Sequence, residues 1–438
     1  MKTIDYLLIS TAAVLLPNQS VASASFDDMN RTKIIGSKHI AYVPYLFSTD
    51  STGLSGGIGI IKQGFIQPQT TALATVFYGA KQNIVTNSNP DTANFSGGFA
   101  ALVDYLIPGS DRLLFSAMGL KSYFPKARYY IYDRSNNSDE DAYVETSGDS
   151  DFIYATLKYV LPIGDGLENS EGHYVLNRGF AVGRKGYGGG IPFITGRTAL
   201  GLSTFYEHNT FENYEENSPH SSKGIKTWNT NGLRFFLDHD NTDFDLNPSR
   251  GYQFKLQYSR DFGWGDATQS WDFLEFKYNH YITMPTLSFT QQNVLAMSFW
   301  TGYSFSWEHD TTPTEGDRPP PWEGARLGGM FRMRAYDNNR FSDKAVVYGT
   351  AEYRAILDWN PFRKSEYIPV VVDWLQVVGF VEAGRVNDHY NTDLLQEMKY
   401  DAGISLRAMA AQVPVRFDIA FGDEGTNFWV MVFQPFDF

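Results

Sequence analysis

Polar and apolar residues trade places at every second position through long stretches of this chain. Tyr252, Phe254, Leu256 and Tyr258 share one face of an extended backbone, with Gln253, Lys255, Gln257 and Ser259 on the other. Leu274, Phe276 and Tyr278 likewise alternate with Glu275, Lys277 and Asn279, and Val415, Phe417, Ile419 and Phe421 alternate with Arg416, Asp418 and Ala420. A two-residue period belongs to a β-strand, whose successive side chains point to opposite faces. Segments of this kind recur between connections rich in Gly, Pro, Asn and Asp. They predict strands near 40–47, 55–63, 71–80, 94–106, 112–121, 151–162, 196–207 and 229–239. Eight more are predicted near 250–262, 268–282, 290–305, 344–357, 373–384, 398–408, 413–421 and 426–436. The total is sixteen, with 172–182 as an alternative to the first. No helical period is sustained, and no short repeat has solenoid spacing.

Two architectures share this periodicity. A soluble sandwich turns its apolar faces inward, whereas a membrane barrel turns them to lipid and lines its lumen with the charged faces. Strand length favours the barrel. Several segments run to ten residues or more, where globular strands peak at about 5–6 and a spanning strand needs about 9–11. The reading is therefore all-β, a single transmembrane antiparallel barrel of about sixteen strands over 40–438. Connections at 63–71, 106–112, 262–268 and 408–413 are short, as periplasmic turns are, and those at 122–150, 163–195, 207–228 and 306–343 are long, as extracellular loops are.

Composition narrows the picture. A mean hydropathy of −0.32 is too polar for a bundle of membrane helices. Aromatics reach 16%, with 27 Tyr, 33 Phe and 9 Trp, a mixture suited to aromatic belts at the lipid–water boundaries. Cysteine is absent, which excludes disulfide scaffolds and thiolate metal sites. Lys2, the apolar run Tyr6–Leu16 and Ala22-Ser23-Ala24 read as a secretory signal peptide over 1–24, leaving a short periplasmic segment at 25–39. Eleven apolar residues are too few for a helix crossing about 30 Å of hydrocarbon. The net charge of −13 disfavours nucleic acid as a partner.

Catalytic and metal chemistry find little support. There is no H-E-x-x-H. The eight histidines are scattered, and Asp238-His239-Asp240 is a local acid–His cluster. The stretch 133–145 is rich in oxygen ligands but lacks the Gly and the Glu of an EF-hand loop, and a solvated acidic loop accounts for it. We expect no catalytic residues, no cofactor and no metal.

Ordered motifs then point to a family. Asp238-His239-Asp240-Asn241 followed by Pro248-Ser249-Arg250-Gly251 resembles the strand-joining turn of the BamA/TamA-type, or bacterial surface antigen, barrels. Leu327–Tyr336 resembles their "GG…(V/I)RG(F/Y)" loop tip, Glu352-Tyr353-Arg354 their "E-x-R", and Phe380–Gly384 their "F-x-D-x-G". The likeness covers roughly residues 230–438. Ala335 stands where the family has Gly, and Glu382 where it usually has Asp. The family's sixteen strands agree with the number read from periodicity.

The resemblance implies that the long loop folds back into the barrel, with Arg334 bonded to Glu382 and Tyr336 beside them. Glu352 and Arg354 lie opposite the apolar face of Ala351, Tyr353, Ala355 and Leu357, and so point into the lumen on periodicity alone. The alternative is that these are ordinary lumen charges satisfied by water. The resemblance also implies a C-terminal assembly signal, here Phe438, Phe436 and Phe433, with Trp429 and Met431 on the same face as Phe433. Pro435 would weaken the seam between first and last strands, because it cannot donate a ladder hydrogen bond. Well-known members carry periplasmic POTRA domains, for which the span between the leader and the first strand leaves no room. The expected setting is the Gram-negative outer membrane, with lipid and lipopolysaccharide around the barrel, assembly machinery during biogenesis, and a separate periplasmic partner in place of those domains. Two roles stay open: an insertase- or translocase-like barrel serving protein or lipid transport, and a passive pore, structural protein or surface antigen.

Overall fold

The computed structural model describes residues 40–436 except 50, 68, 88–90, 172–174, 183–187, 309–312, 364–371, 411–412 and 433. The expected leader, the 25–39 segment, Phe433 and Phe438 lie outside the described residues.

Sixteen strands form one sheet in which each pairs antiparallel with the next in the chain. They are β1 (Ile40–Thr49), β2 (Gly53–Gln63), β3 (Thr71–Asn83), β4 (Thr92–Leu106), β5 (Leu113–Tyr129), β6 (Val144–Val160), β7 (Arg197–Thr210) and β8 (Thr227–Thr242). The second half comprises β9 (Gly251–Asp261), β10 (Trp271–Met284), β11 (Thr290–Tyr303), β12 (Ala345–Leu357), β13 (Val372–Asn387), β14 (Lys399–Ala410), β15 (Val413–Gly422) and β16 (Gly425–Val432). Each predicted strand has its counterpart. The alternative at 172–182 is instead a small hairpin, Val175–Asn177 with Phe180–Val182, outside the large sheet. β5 and β6 run to 17 residues each, extending the ladder into what the sequence suggested was loop.

Burial along the strands separates the two architectures. Val381 and Ile404 are each 57% exposed, while Arg407 and Arg416 are each 1% exposed. A sandwich would bury the first pair and expose the second. The sheet's outer face is apolar and its charged residues point inward, which is the arrangement of a barrel in lipid.

Antiparallel order also corrects two connections. Successive connections must alternate between the two ends of the sheet. The long 161–196 connection therefore lies at the same end as the short turns after β2 and β4. The 262–270 connection lies with the long loop after β11. Length alone misassigned both, because a long connection can fold over either rim.

The hydrophobic core sits inside the barrel. Strand residues such as Phe99, Phe152, Phe205 and Trp300 pack there with Leu327, Phe331 and Met333 of the 304–344 loop. That loop carries its own short hairpin, Ala325–Leu327 with Phe341–Asp343. A lumen occupied by an apolar loop can bury large aromatics without exposing them to lipid.

The C-terminal end departs from expectation. The ladder stops at Val432, and Gln434, Pro435 and Phe436 are buried within the barrel. Pro435 is therefore not part of an edge strand, and it says nothing of seam pairing. The Phe436 carbonyl accepts hydrogen bonds from Lys277 and from Asn279 Nδ2, and its ring packs with Tyr281, Val294 and Ala296. Among the described residues no ladder joins β1 to β16.

Candidate functional site

The tip of the long loop is a tight, internally bonded turn. Gly328 and Gly329 have φ of 106° and 107°, a region open to glycine. A β-carbon on Gly328 would lie 2.2 Å from the Asp337 carbonyl oxygen, so the chain can close on itself only without one. Gly329 N donates to the Tyr336 carbonyl at 3.0 Å, and Asn339 N to the Gly328 carbonyl at 3.3 Å.

This turn projects Arg334 into a fully buried cluster of opposite charge. Its Nε lies 3.2 Å from Glu382 Oε2, Nη1 3.2 Å from Asp418 Oδ2 and Nη2 3.1 Å from Glu352 Oε1. Its backbone N–H also donates to Glu382 Oε2 at 2.7 Å. The guanidinium stacks 3.4 Å over the Phe380 ring. The three carboxylates come from β13, β15 and β12, so one side chain ties the loop to three strands. Burial works against its charge, yet Glu382, Glu352 and Asp418 outweigh that and hold the guanidinium well above its ordinary value. A planar fork with five donors can satisfy several carboxylates at once, which an ammonium cannot.

Neighbouring residues extend the grip. Ala335 N donates to Asp401 Oδ2 at 2.9 Å, and Tyr336 Oη donates to Asp423 Oδ1 at 2.5 Å. The carbonyls of Arg334 and Ala335 accept from Trp429 Nε1 at 2.7 Å and Asn427 Nδ2 at 2.9 Å. Trp429 therefore faces the lumen, while Phe428 beside it is 61% exposed. Glu352 also receives Arg354 Nε and Arg407 Nη2, each at 2.8 Å. Arg416 pairs with Asp418 and donates through Nη2 to the Met330 carbonyl at 2.6 Å.

The two departures from the family pattern find a physical account. Ala335 is not among the positive-φ residues; Met333 takes that conformation, at 54°. The Ala335 methyl finds space because Gly422 faces it: a β-carbon there would come within 2.9 Å. Glu382, with its longer reach, bonds Arg334 and Tyr348 Oη together.

A second anchor holds the base of the loop to the opposite wall. Glu323 Oε1 accepts from Arg234 Nη2 of β8 at 2.8 Å, and Trp322 Nε1 donates to Glu207 Oε2 of β7 at 2.9 Å. Tyr154 Oη of β6 donates to the other Glu207 oxygen at 2.5 Å.

The structure brings together Arg334, Tyr336, Glu382, Glu352 and Arg354. Phe436 touches this group only through Arg354, whose guanidinium lies 4.7 Å from its ring, and packs beside Tyr281. Sequence reasoning missed Asp401, Tyr348 and Asp423 as loop contacts, Arg407 as a partner of Glu352, and the whole of the Arg234–Glu323 anchor. Alternation places Asp401 and Arg407 on the lumen face of β14, but period alone does not say which lumen charges meet. His239 of the acid–His cluster shares a hydrogen bond with Thr198 Oγ1 at 2.8 Å and stacks on Phe254, a packed strand-end residue. Asp243 Oδ1 accepts from Ser249 N at 2.8 Å, so the motif around it closes a turn. In the acidic 133–145 stretch, Ser138 serves the loop instead, its Oγ accepting from Arg340 Nη1 at 2.7 Å.

Residues 126–430 match a family model described as the Omp85 superfamily domain. No curated protein matches the chain. Among solved structures, CdiB from Escherichia coli aligns with a TM-score of 0.53 at 11% identity, over 93% of this chain and 69% of that one. BamA from Haemophilus ducreyi lacking POTRA domains 1–3 aligns at 0.47 and 13% identity, over 90% of this chain and 69% of that one. CdiB from Acinetobacter baumannii aligns at 0.48 and 12% identity, and there the chain spans 59% of the other's length. At such identities the likeness is one of fold.

Proposed function

We propose, from the premise that this chain belongs to the Omp85 superfamily, that it inserts or moves protein or lipid at the outer membrane through the side of its barrel. The chain is an integral β-barrel of the Gram-negative outer membrane. The observation that carries the proposal is the pairing of its strands. Fifteen consecutive strand pairs form antiparallel ladders, yet among the described residues β1 and β16 are not joined. β16 is also short, at 8 residues. A discontinuity of that kind presents unpaired backbone donors and acceptors, the groups a substrate strand would satisfy.

The filled lumen supports a lateral route over an axial one. Loop residues from Trp322 to Phe341 occupy it, fastened at Arg334 on one wall and at Glu323 on the other. A permanently open pore has no use for a double anchor of this kind. In this reading the Arg334 cluster is a lock that keeps the loop in register with β12–β16 beside the seam. Lipid and lipopolysaccharide contact the outer face, and a separate periplasmic protein delivers substrate. Residues 1–24 serve as leader and 25–39 as a short periplasmic lead into the barrel.

Engineered disulfides test this cleanly, because the chain has no cysteine of its own. Cysteine pairs placed between Ile40–Thr49 and Gly425–Val432 should cross-link and disturb the cell's outer-membrane protein or lipid profile, with reduction restoring it. Full function with the seam cross-linked, or a stably open, ungated channel in planar bilayers, would overturn the proposal.

A further inference from the structure

On the outer face of β7, β8 and β9 the side chains change character towards one end. Two rows pair across these strands, Leu202 with Phe235 and Tyr258, and Leu200 with Leu237 and Leu256. Leu200, Leu202, Phe235 and Leu256 are exposed, as lipid-facing residues of a barrel are. The next rows bring polar groups to that face, Thr198 with His239 and Phe254, then Asn241 with Tyr252. Thr198, His239 and Asn241 are nevertheless fully buried. This end of the sheet carries the long 161–196 connection together with the short turns after β2 and β4.

Residues 189–196 of that connection cover the polar rows from outside. Gly189 N donates to the Asn241 carbonyl at 3.1 Å, Asn241 Nδ2 to Thr195 Oγ1 at 2.9 Å, and Tyr252 Oη to the Gly190 carbonyl at 2.9 Å. The Phe193 ring lies 5.4 Å from that of His239 and, edge-on, 6.1 Å from that of Phe254. A β-carbon on Gly196, whose φ is 81°, would come within 2.8 Å of the Asp240 carbonyl oxygen, so glycine lets the segment lie flat against the wall. What the segment turns outward is apolar: Ile191 and Ile194 are 66% and 68% exposed, and Phe193 is 45% exposed. Its backbone suits an apolar neighbour. Ile194 N and Thr195 N donate to the Ile191 carbonyl at 3.2 and 3.1 Å, Gly196 N donates to Asp165 Oδ2 at 2.8 Å, and Pro192 has no N–H to satisfy. Donors satisfied within the chain are what a segment facing hydrocarbon requires.

We propose that residues 189–196 are an interfacial anchor whose partner is the phospholipid of the periplasmic leaflet, at the boundary between headgroups and acyl chains. Continuity with the lipid-facing wall identifies lipid as the occupant. Leu200 pairs with Tyr159 of β6, both are exposed, and the anchor's outward side chains carry that apolar surface past the last strand residues. Ile163 and Leu167, at the start of the same connection, are exposed too. Arg112 fixes that stretch by donating to the Gly166 and Leu167 carbonyls at 2.7 and 3.0 Å. The segment thus replaces a polar patch on the lipid side of the wall with an apolar one. The inference rests on the barrel's place in the membrane and not on a lateral route for substrate.

The test uses the full chain in nanodiscs of phosphatidylethanolamine and phosphatidylglycerol, with folding judged by anomalous gel migration before boiling. The chain has no cysteine, so Ile191→Cys and Ile194→Cys each take a single environment-sensitive fluorophore. Leu200→Cys reports the lipid-facing wall, and His389→Cys, in an exposed connection at the opposite end, reports water. All four side chains are exposed, so the substitutions leave packing intact. Spin-labelled phospholipid should quench the probes at 191 and 194 as it quenches the one at 200. A shallow spin label should act more strongly on them than a deep one, since interfacial segments reach only about 5–10 Å into the boundary. Iodide should quench both several-fold less than the probe at 389. Iodide quenching of either probe at the level of His389→Cys overturns the anchor. Protection from iodide without quenching by the lipid label also overturns it, because protein and not lipid would then cover the patch.

Discussion

Arg334 meets three carboxylates from three strands, and Glu352 in turn meets three guanidiniums, those of Arg334, Arg354 and Arg407. A buried network of this sort is brittle, because removing one member leaves its partners charged and uncompensated. Arg334→Ala should therefore cost about 3–5 kcal/mol of barrel stability and expose the 327–340 tip to added protease. Both effects are read together from the unfolding midpoint on heat-modifiability gels and from the cleavage pattern. Arg334→Lys should rescue little, since an ammonium cannot span all three carboxylates; unchanged loop protection in Arg334→Ala would count against a lock. A second expectation rests on the Ala335–Gly422 contact. Gly422→Ala should destabilise by about 1–3 kcal/mol through overpacking, and Ala335→Gly in the same chain should restore the midpoint. Failure of that rescue would show that Gly422 matters for its own backbone and not for the methyl opposite.

Elements here are held by side chains from elsewhere in the chain. The long loop has a hairpin of only three residues per strand, far too short to persist alone. Its position comes from Arg334, Tyr336 and Trp322 reaching opposite walls. The segment after β16 is similar: Gln434 accepts from Arg407 and donates to Asn247 at 3.3 Å, and Phe436 fills a space lined by Tyr281, Val294 and Ala296. Truncating a buried Phe costs about 3–5 kcal/mol in a fixed core. In a short segment beyond the last ladder the response is release. Phe436→Ala should accordingly speed protease cleavage after β16 in folded protein while leaving the β15–β16 ladder protected from hydrogen exchange. Equal cleavage rates would mean that the polar contacts alone retain the segment.

At the scale of the molecule, the same alternation that builds the wall divides its chemistry. The outer face offers lipid an apolar surface, and the inner face carries enough charge to hold a loop and an end segment. The charges are sorted within the lumen. Carboxylates of β12, β13, β14 and β15 gather around the loop tip, while Arg234, Lys255 and Lys277 of the β8–β10 wall face the loop base. The loop therefore sits between an acidic docking face near the seam and a more basic wall away from it. Weakening either contact should shift how firmly the loop is held without altering the sixteen ladders.

The sequence by itself determined the all-β class, the sixteen strands and which face of each is charged. Period-two alternation is local, and each strand declares it within ten residues. Motif order was enough to bring Arg334, Tyr336, Glu382 and Glu352 to notice. Tertiary structure alone decided which lumen charges meet, because Arg334 and Asp418 are 84 positions apart and nothing local couples them. It alone placed the 161–196 connection at the opposite end from the long loop, turned Trp429 inward, and drew Phe436 off the expected final strand into the barrel. Each of those outcomes depends on closing distances across a lumen, where a polar residue is satisfied by whichever partner the curved wall presents to it.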